Sequence, residues 1–262
     1  MDVVSAGLTV GALHGASKVL DSSSKILDSA LVQKVLGPSA DYLGDQLKLF
    51  TQKNLENIKN ILKKAEEKID SNTENSQVSP LIVKDLIFEA SFAEDEITQE
   101  YYSGLLASAR NEDSFDDRGK TISTLIRSLS HYQLLTHHVI YLIVSNPHTA
   151  RQKFETLDYE PLLKAFKVLN SSQEKNSAVL HHVFSGLEKH NLVKPIQEMN
   201  EQIGSKYASQ YYFQPTITGI ELFLWANGLG KKNVDYIYSE EFEPFILLTD
   251  DEYNALIYQT YG

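Results

Sequence analysis

Cysteine is absent from the 262 residues of this chain. Its absence excludes disulfide bonds, thiolate metal sites and thiol nucleophiles. Positive charge is scarce, since 24 Lys and Arg residues against 35 Asp and Glu residues leave a net charge of −11. A surface of that sign repels phosphate backbones and anionic lipids unless its basic residues cluster. Long apolar runs are also missing, because none reaches the roughly 18 residues that predict a transmembrane helix.

Sequence signals of secretion and of nucleotide cofactors are missing as well. The apolar stretch near the N-terminus follows Asp2 and has no basic region before it, unlike a secretory signal peptide. We therefore predict a cytoplasmic protein. The sequence contains no dinucleotide fingerprint, phosphate loop or Gly-x-Ser-x-Gly elbow, so we expect no cofactor.

The N-terminal segment has an unusual glycine spacing. Gly7, Gly11 and Gly15 recur every four residues in a stretch that is uncharged from Val3 to Ser17. On a helix this spacing places all three glycines on one side, where two backbones can approach closely. We interpret the side as a packing seam against the chain's own core or against a partner chain. Insertion of this segment into a membrane surface is the alternative.

Apolar residues at helical spacing then predict a mainly α fold. After a break at Gly37-Pro38, a 3–4 spacing continues to Ile69 and indicates one long amphipathic helix. The polar run 71–79 before Pro80 reads as a linker. We therefore predict a helical N-terminal region, a helical domain that ends in a winged-helix-like α+β module, and an acidic, Tyr-rich tail; their ranges are 1–75, 80–230 and 231–262.

The winged-helix prediction rests on the stretch 177–228. Val179, Val183 and Leu187 form the apolar face of a helix, and Asn191 is a residue type that tolerates the left-handed conformation after a helix. A short strand around Val193, a partner strand at 211–213 and a closing helix from Thr218 follow. Helix, two strands and helix are the second half of a winged helix.

Three segments together carry a family resemblance. They read GPSADYLGDQLKLFTQKNLENIKNILKKAEEKI (37–69), FEASFAEDEITQEYYSGLLASA (88–109) and ISTLIRSLSHYQLLTHHVIYLI (122–143). The chain resembles the Abi-alpha family, named for bacterial abortive infection, over residues 30–230. The resemblance implies a bacterial protein of phage defence and supplies no catalytic residues.

Histidine and carboxylate clusters are the obvious candidates for chemistry. Metal ligands on one helix stand three or four residues apart, whereas the pairs His137-His138 and His181-His182 are adjacent and diverge by about 100° around a helix axis. We expect half-buried or capping histidines and no metal site, with convergence of His138 and His182 in the folded chain as the alternative. A last group, Glu94, Asp95, Glu96 and Glu100, suits the first turn of a helix, with Ser91 and Glu94 as a capping box.

We therefore predict a non-enzymatic antiviral defence protein that acts through contacts with a host or phage protein. The exposed side of the helix 177–190 offers four candidate interaction residues, His181, His182, Ser185 and Lys189. Few of them could neutralise phosphates, which argues against nucleic acid. Two alternatives stay open: a winged-helix DNA-binding regulator, and a membrane-active effector that uses its N-terminus. A homo-oligomer through the glycine seam is compatible with each.

Replacing Gly11 with Leu tests the seam. If the segment packs on its own chain, we expect the unfolding free energy to fall by about 1–3 kcal/mol, because the added side chain overpacks the contact. If it packs on a second copy, light scattering should instead show a shift toward monomer at equal concentration. No change in either measurement would contradict a packing role.

Overall fold

The structure, a computed structural model, describes residues 52–69, 78–110, 116–146, 155–158, 173–203, 206–249 and 251–252. The glycine-spaced segment with Gly7, Gly11 and Gly15 lies outside these residues. The fold is mainly α, as predicted. No helix among the described residues is long and apolar enough to cross a membrane.

The chain divides into two compact units, residues 1–124 and 125–262. The division falls inside a helix, α4, that spans Arg118–Ser128. The boundary predicted between residues 75 and 80 lies within the first of these units, and residues 70–77 are outside the described part of the chain.

The first unit is helical where it is described. Its elements are α1 (Gln52–Lys68), α2 (Pro80–Phe88), a 3-10 turn (Ala90–Phe92), α3 (Glu96–Ser108) and the start of α4. The predicted spacing of α1 is confirmed over its described residues, since the apolar side chains at intervals of three or four residues are at most 1% exposed: Leu55, Ile58, Ile61, Leu62 and Ala65. Pro80 begins α2, where its missing N–H costs nothing.

The predicted Ser91–Glu94 capping box is wrong. Asp95 is the N-cap of α3, and its carboxylate accepts a hydrogen bond from the backbone N–H of Thr98 at 2.9 Å. Ser91 lies buried in the 3-10 turn, where its carbonyl accepts the side-chain amides of Asn54 (3.2 Å) and Asn57 (2.9 Å) from α1. The segment before α3 is thus fixed by α1 and does not form a helix start of its own.

The second unit combines helices with a small sheet. After the end of α4 it contains α5 (His131–Ser145), β1 (Glu155–Asp158), α6 (Gln173–Lys189), β2 (Val193–Ile203), β3 (Lys206–Pro215), α7 (Ile217–Ala226) and a 3-10 turn (Val234–Tyr238). The sheet is antiparallel in the order β1-β3-β2. Both hairpin strands are longer than predicted, and the expected pairing is present, with Pro195 opposite Phe213 and a register shift between Pro195 and Gln197.

The end of α6 confirms the prediction for Asn191. Its φ is 54°, in the left-handed region. The N–H of Asn191 donates to the Glu188 carbonyl and the N–H of Leu192 to the Leu187 carbonyl, both at 2.9 Å. These two hydrogen bonds end the helix and turn the chain directly into β2. The predicted apolar face is buried at Val183 and Leu187, which are 0% exposed, and half-buried at Val179.

One tyrosine hydroxyl joins three elements of the second unit. The Tyr141 hydroxyl on α5 donates to the Leu192 carbonyl at 2.6 Å and accepts the N–H of Thr216 at 3.1 Å. Thr216 in turn caps α7, because its Oγ1 accepts the N–H of Gly219 at 3.0 Å. Helix α7 therefore begins slightly before the predicted Thr218. Burial raises the pKa of Tyr141 to about 12, so the hydroxyl keeps its proton.

Gly186 on α6 and Gly219 on α7 allow these helices to approach side chains of α5 closely. The two positions differ in the atoms that an added Cβ would contact. A Cβ at Gly219 would clash with the Tyr141 hydroxyl and with the backbone carbonyl of Leu192. A Cβ at Gly186 would meet only the terminal amide of Gln133. A side-chain end can rotate away, whereas a backbone carbonyl in a closed turn cannot.

We expect Gly219→Ala to lower the free energy of unfolding by about 2–3 kcal/mol, because it overpacks a rigid contact. Gly186→Ala should change it by at most about 1 kcal/mol, since the gain in helix propensity offsets the displaced amide. Urea unfolding of both variants measures the difference. Equal losses would show that the Tyr141 junction is not the rigid part of this unit.

Candidate functional site

Three of the predicted interaction residues share one side of α6. His181, Ser185 and Lys189 follow one another at a spacing of four, and each is exposed. Glu188 is exposed beside them. We call these four residues the α6 face. Side chains on a regular helix are positioned more rigidly than side chains on a loop, which suits a recognition surface.

The fourth predicted residue, His182, is exposed but has a structural role. Its Nε2 lies 3.2 Å from the Ser130 Oγ at the start of α5, and its carbonyl accepts the side-chain amide of Gln133 at 3.0 Å. Gln133 and Ser130 also form a reciprocal capping box. These bonds hold the middle of α6 against the first turn of α5 and set the direction in which the α6 face points.

The α6 face is electrically balanced. It contains one cation, Lys189, and one anion, Glu188. The longer stretch 173–215, which covers α6 and the β2–β3 hairpin, contains four lysines and four glutamates. An exposed apolar side chain is close by, because Ile217 is 71% exposed and its neighbour Thr216 donates through Oγ1 to the Asn191 carbonyl at 2.7 Å. An exposed apolar residue therefore follows the contact between Thr216 and the end of α6.

The prediction of half-buried or capping histidines is wrong for His137 and His138, which are both 0% exposed. The Nε2 of His137 lies 3.1 Å from the Gly219 carbonyl, so this nitrogen carries the proton. Burial lowers the pKa of His137 to about 3, and the ring is neutral at physiological pH. His138 stacks on Phe245 with 4.4 Å between ring centroids. It stands eight residues from Ser130 along α5, about 12 Å from the start that His182 contacts.

No group of three histidine or carboxylate side chains among the described residues could hold a metal ion.

The first unit contains a buried charge cluster that the sequence reading missed. Glu100 on α3 is 6% exposed and forms ion pairs with Lys64 and Lys68, one turn apart on α1. Lys68 donates to a Glu100 carboxylate oxygen at 2.5 Å, to the Glu100 carbonyl at 3.1 Å and to the Ser103 Oγ at 3.0 Å. Lys64 also contacts Glu96 at 3.2 Å. We call Lys64, Lys68 and Glu100 the α1–α3 clasp.

The clasp shifts the ionisation of its members in different directions. Burial lowers the pKa of Lys68 to about 8, although Glu100 opposes the shift. Burial would also lower the pKa of Lys64, but its bonds to Glu100 and Glu96 outweigh burial and raise it. For Glu100 burial favours the neutral acid, and the two lysines together overcome it and lower the pKa. All three groups are therefore charged at pH 7.

The clasp borders a groove of about 490 Å³ between α1 and the start of α3. Its lining is amide and charged: Asn57, Asn60, Lys63, Lys64, Glu67, Glu94, Glu96 and Gln99. Pockets that bind small organic molecules are lined mainly by apolar side chains with few polar groups. The lining of this groove has the opposite character, so it does not favour a small-molecule substrate. The ammonium group of Lys68 donates to Glu100 and Ser103, and in this protonated form it has no lone pair for nucleophilic attack.

The expected role of the carboxylate group is correct only in part. Glu96 does lie in the first turn of α3, but Glu100 belongs to the clasp. A signal existed in the sequence, because Lys64 and Lys68 on one helix match Glu96 and Glu100 on another at the same spacing of four. The pairing of the two helices was needed to use it.

Removing the shared carboxylate tests the clasp. Glu100→Gln removes the buried carboxylate that the two half-buried lysines share and leaves Lys64 paired with Glu96. We expect a loss of about 3 kcal/mol in the free energy of unfolding at pH 7. Lys68→Met leaves Glu100 paired with Lys64 and should cost less than half as much. Lys53→Met breaks an exposed pair with Glu94 and should cost no more than about 1 kcal/mol.

The cost of Glu100→Gln should also depend on pH. The pKa of Glu100 is lowered below its ordinary 4.5, so its ionised form stabilises the fold above that pH and this contribution is lost as the pH falls further. The difference between wild type and Glu100→Gln should therefore shrink below about pH 4. A difference that stays constant down to pH 3 would contradict the ion pairing.

No protein-family model, curated protein or solved structure matches the chain. The resemblance to the Abi-alpha family stays a prediction from the sequence.

Proposed function

We propose that this chain is a non-enzymatic protein of bacterial antiviral defence, and that its second unit is a winged-helix module which docks a host or phage protein through the α6 face. The observation that carries the proposal is the α6 face itself. It is a rigid, exposed and electrically neutral helix side, in the position that a recognition helix has before a β-hairpin.

The order of elements supports the winged-helix assignment. Helix α5, strand β1, helix α6 and the hairpin β2–β3 follow one another, and β1 pairs with β3 so that the sheet order is β1-β3-β2. A further helix is expected near 161–169, which lies outside the described residues. In helix-turn-helix proteins the second helix of the motif is the one that contacts the target. If the helix predicted near 161–169 is the first, α6 is the second.

Charge favours a protein over a nucleic acid as the target. A protein that binds duplex DNA neutralises several phosphates with Lys and Arg and reads base edges with Arg, Lys, Asn or Gln. The α6 face offers one lysine beside one glutamate, and the stretch 173–215 has equal numbers of lysine and glutamate. Protein interfaces, in contrast, are polar at the rim with few charges at the centre, which fits His181, Ser185 and the nearby exposed Ile217.

The biological setting is supported by the sequence resemblance alone. Abortive-infection proteins act inside infected bacteria, and a docking module fits a role in which contact with a phage or host protein is the trigger. Absence of a catalytic role is part of the same proposal, and the polar lining of the groove in the first unit is compatible with it.

A variant that adds a positive charge to the α6 face distinguishes a protein target from a nucleic-acid target, because it should weaken binding to the first and strengthen binding to the second. We expect Ser185→Arg to weaken phage protection, seen as a rise of at least tenfold in the efficiency of plating of the phage. The reason is that a long cationic side chain in the centre of the face obstructs a protein interface. Thr121→Arg, at an exposed position of the first unit, is the matched control and should protect like wild type.

A mobility-shift assay at low salt completes the test. A nucleic-acid reader would gain affinity from Ser185→Arg, since each added cation contacts phosphate. Wild type that shifts a specific duplex, or Ser185→Arg that protects like wild type, would refute docking of a protein through the α6 face. Wild type that protects against no phage would refute the defence role.

A further inference from the structure

One face of the second unit, formed by α5 and α7, is covered by the chain itself. Residues 239–249 follow the last 3-10 turn and contain no helix or strand. We call them the strap. Phe242 of the strap is 9% exposed, while Glu240, Glu241 and Glu243 are exposed around it. The strap thus has a buried aromatic side and an outward acidic side, as an extended bound peptide has.

Two phenylalanines three positions apart anchor the strap on α5 and α7. The ring of Phe245 stacks on His138 with centroids 4.4 Å apart and an interplanar angle of 12°. The ring of Phe242 meets Phe223 edge-on at 5.9 Å and Tyr236 at 6.1 Å. Such ring contacts are selective for aromatic residues, because stacking and edge-to-face geometries are favoured beyond the area that they bury.

The side-chain amide of Asn227 binds the strap's backbone at Phe245. The N–H of Phe245 donates to the Asn227 Oδ1 at 2.8 Å, and the Asn227 Nδ2 donates to the Phe223 carbonyl, also at 2.8 Å. The side chain of Asn227 is therefore held by α7 with its oxygen directed at the strap. His138, Phe223, Asn227 and Tyr236 together form what we call the strap groove, with two aromatic subsites and one backbone acceptor.

The strap is attached to the unit at few points. Among the described residues its backbone forms two hydrogen bonds to backbone. The N–H of Ser239 donates to the Tyr236 carbonyl at 3.0 Å, where the 3-10 turn ends, and the N–H of Phe242 donates to the Ser239 carbonyl at 3.1 Å, within the strap. Ile246, which follows the second anchor, is 51% exposed. A segment with few backbone bonds opens locally at low cost compared with a helix or a central strand.

We infer that the strap is an intramolecular ligand of the strap groove, and that the groove serves as a docking site for a partner protein's extended acidic segment with two aromatic residues three positions apart. The occupant's chemistry is taken from the sequence that fills the groove, Glu-Glu-Phe-Glu-Pro-Phe-Ile at 240–246. This surface belongs to α5 and α7 and is distinct from the α6 face.

A labelled peptide with the sequence of 239–249 tests the inference on the full chain. We expect it to bind Phe245→Ala at least tenfold more tightly than wild type, in which the attached strap competes at high effective concentration. Ile246→Ala, altered at the exposed neighbour, should behave like wild type. A peptide with both phenylalanines replaced by alanine should bind Phe245→Ala at least tenfold more weakly.

Amide hydrogen exchange of the wild-type protein is a second test, and it does not require that a variant folds. Excess peptide should speed exchange of strap amides at 243–248 and leave α7 unchanged. Strap protection that several millimolar peptide does not alter, or equal peptide affinity of wild type and Phe245→Ala, would overturn the inference. A concentration-dependent dimer of wild type that Phe245→Ala abolishes would also overturn it, because the groove would then receive the strap of a second copy.

Discussion

The hydrogen bonds of the Tyr141 hydroxyl are the constraint on which the second unit depends. The hydroxyl binds the Leu192 carbonyl, just past the end of α6, and the Thr216 N–H, at the start of α7. Both are main-chain groups at the ends of elements, where no partner exists within the helix. Buried main-chain groups must be paired, so one side chain on α5 joins the end of α6 to the start of α7.

Polar side chains join neighbouring elements in both units, through neutral hydrogen bonds in the second unit and through ion pairs in the first. In the second unit neutral groups join the elements, since Tyr141 keeps its proton and His137 is uncharged while bound to the Gly219 carbonyl. In the first unit α1 is joined to α3 by two lysines and a glutamate. Ion pairs out of water need every partner in place. Neutral hydrogen bonds tolerate changes of pH and salt that alter such pairs.

Features that depend on neighbours along the chain were predictable from the sequence. The buried faces of α1 and α6 follow from apolar spacing, and the left-handed Asn191 follows from the tolerance of asparagine after a helix. Features decided by distant partners were not. Asp95 caps α3 instead of the predicted Ser91 box because α1 binds the Ser91 carbonyl.

The candidate sites divide in the same way. Exposure of the α6 face follows from its position opposite Val183 and Leu187, so the sequence predicted it. His137 and His138 lie in a helix whose whole middle is buried, whereas histidine as a residue type is intermediate in burial, so residue type alone predicts half-buried side chains. The strap has no apolar period, so its sequence does not show which residues anchor it. Tertiary contacts with α5 and α7 identify Phe242, which is buried, and Phe245, which is half-buried.

The register shift between Pro195 and Gln197 has a consequence for self-association. Strand β2 is at the edge of the described sheet, and the free backbone groups of an edge strand can template the addition of strands from other molecules. Proline supplies no N–H, and a bulge breaks the even spacing that an incoming strand must match. Sheet extension along the first residues of β2 is therefore obstructed, and any strand added from outside would be restricted to 197–203.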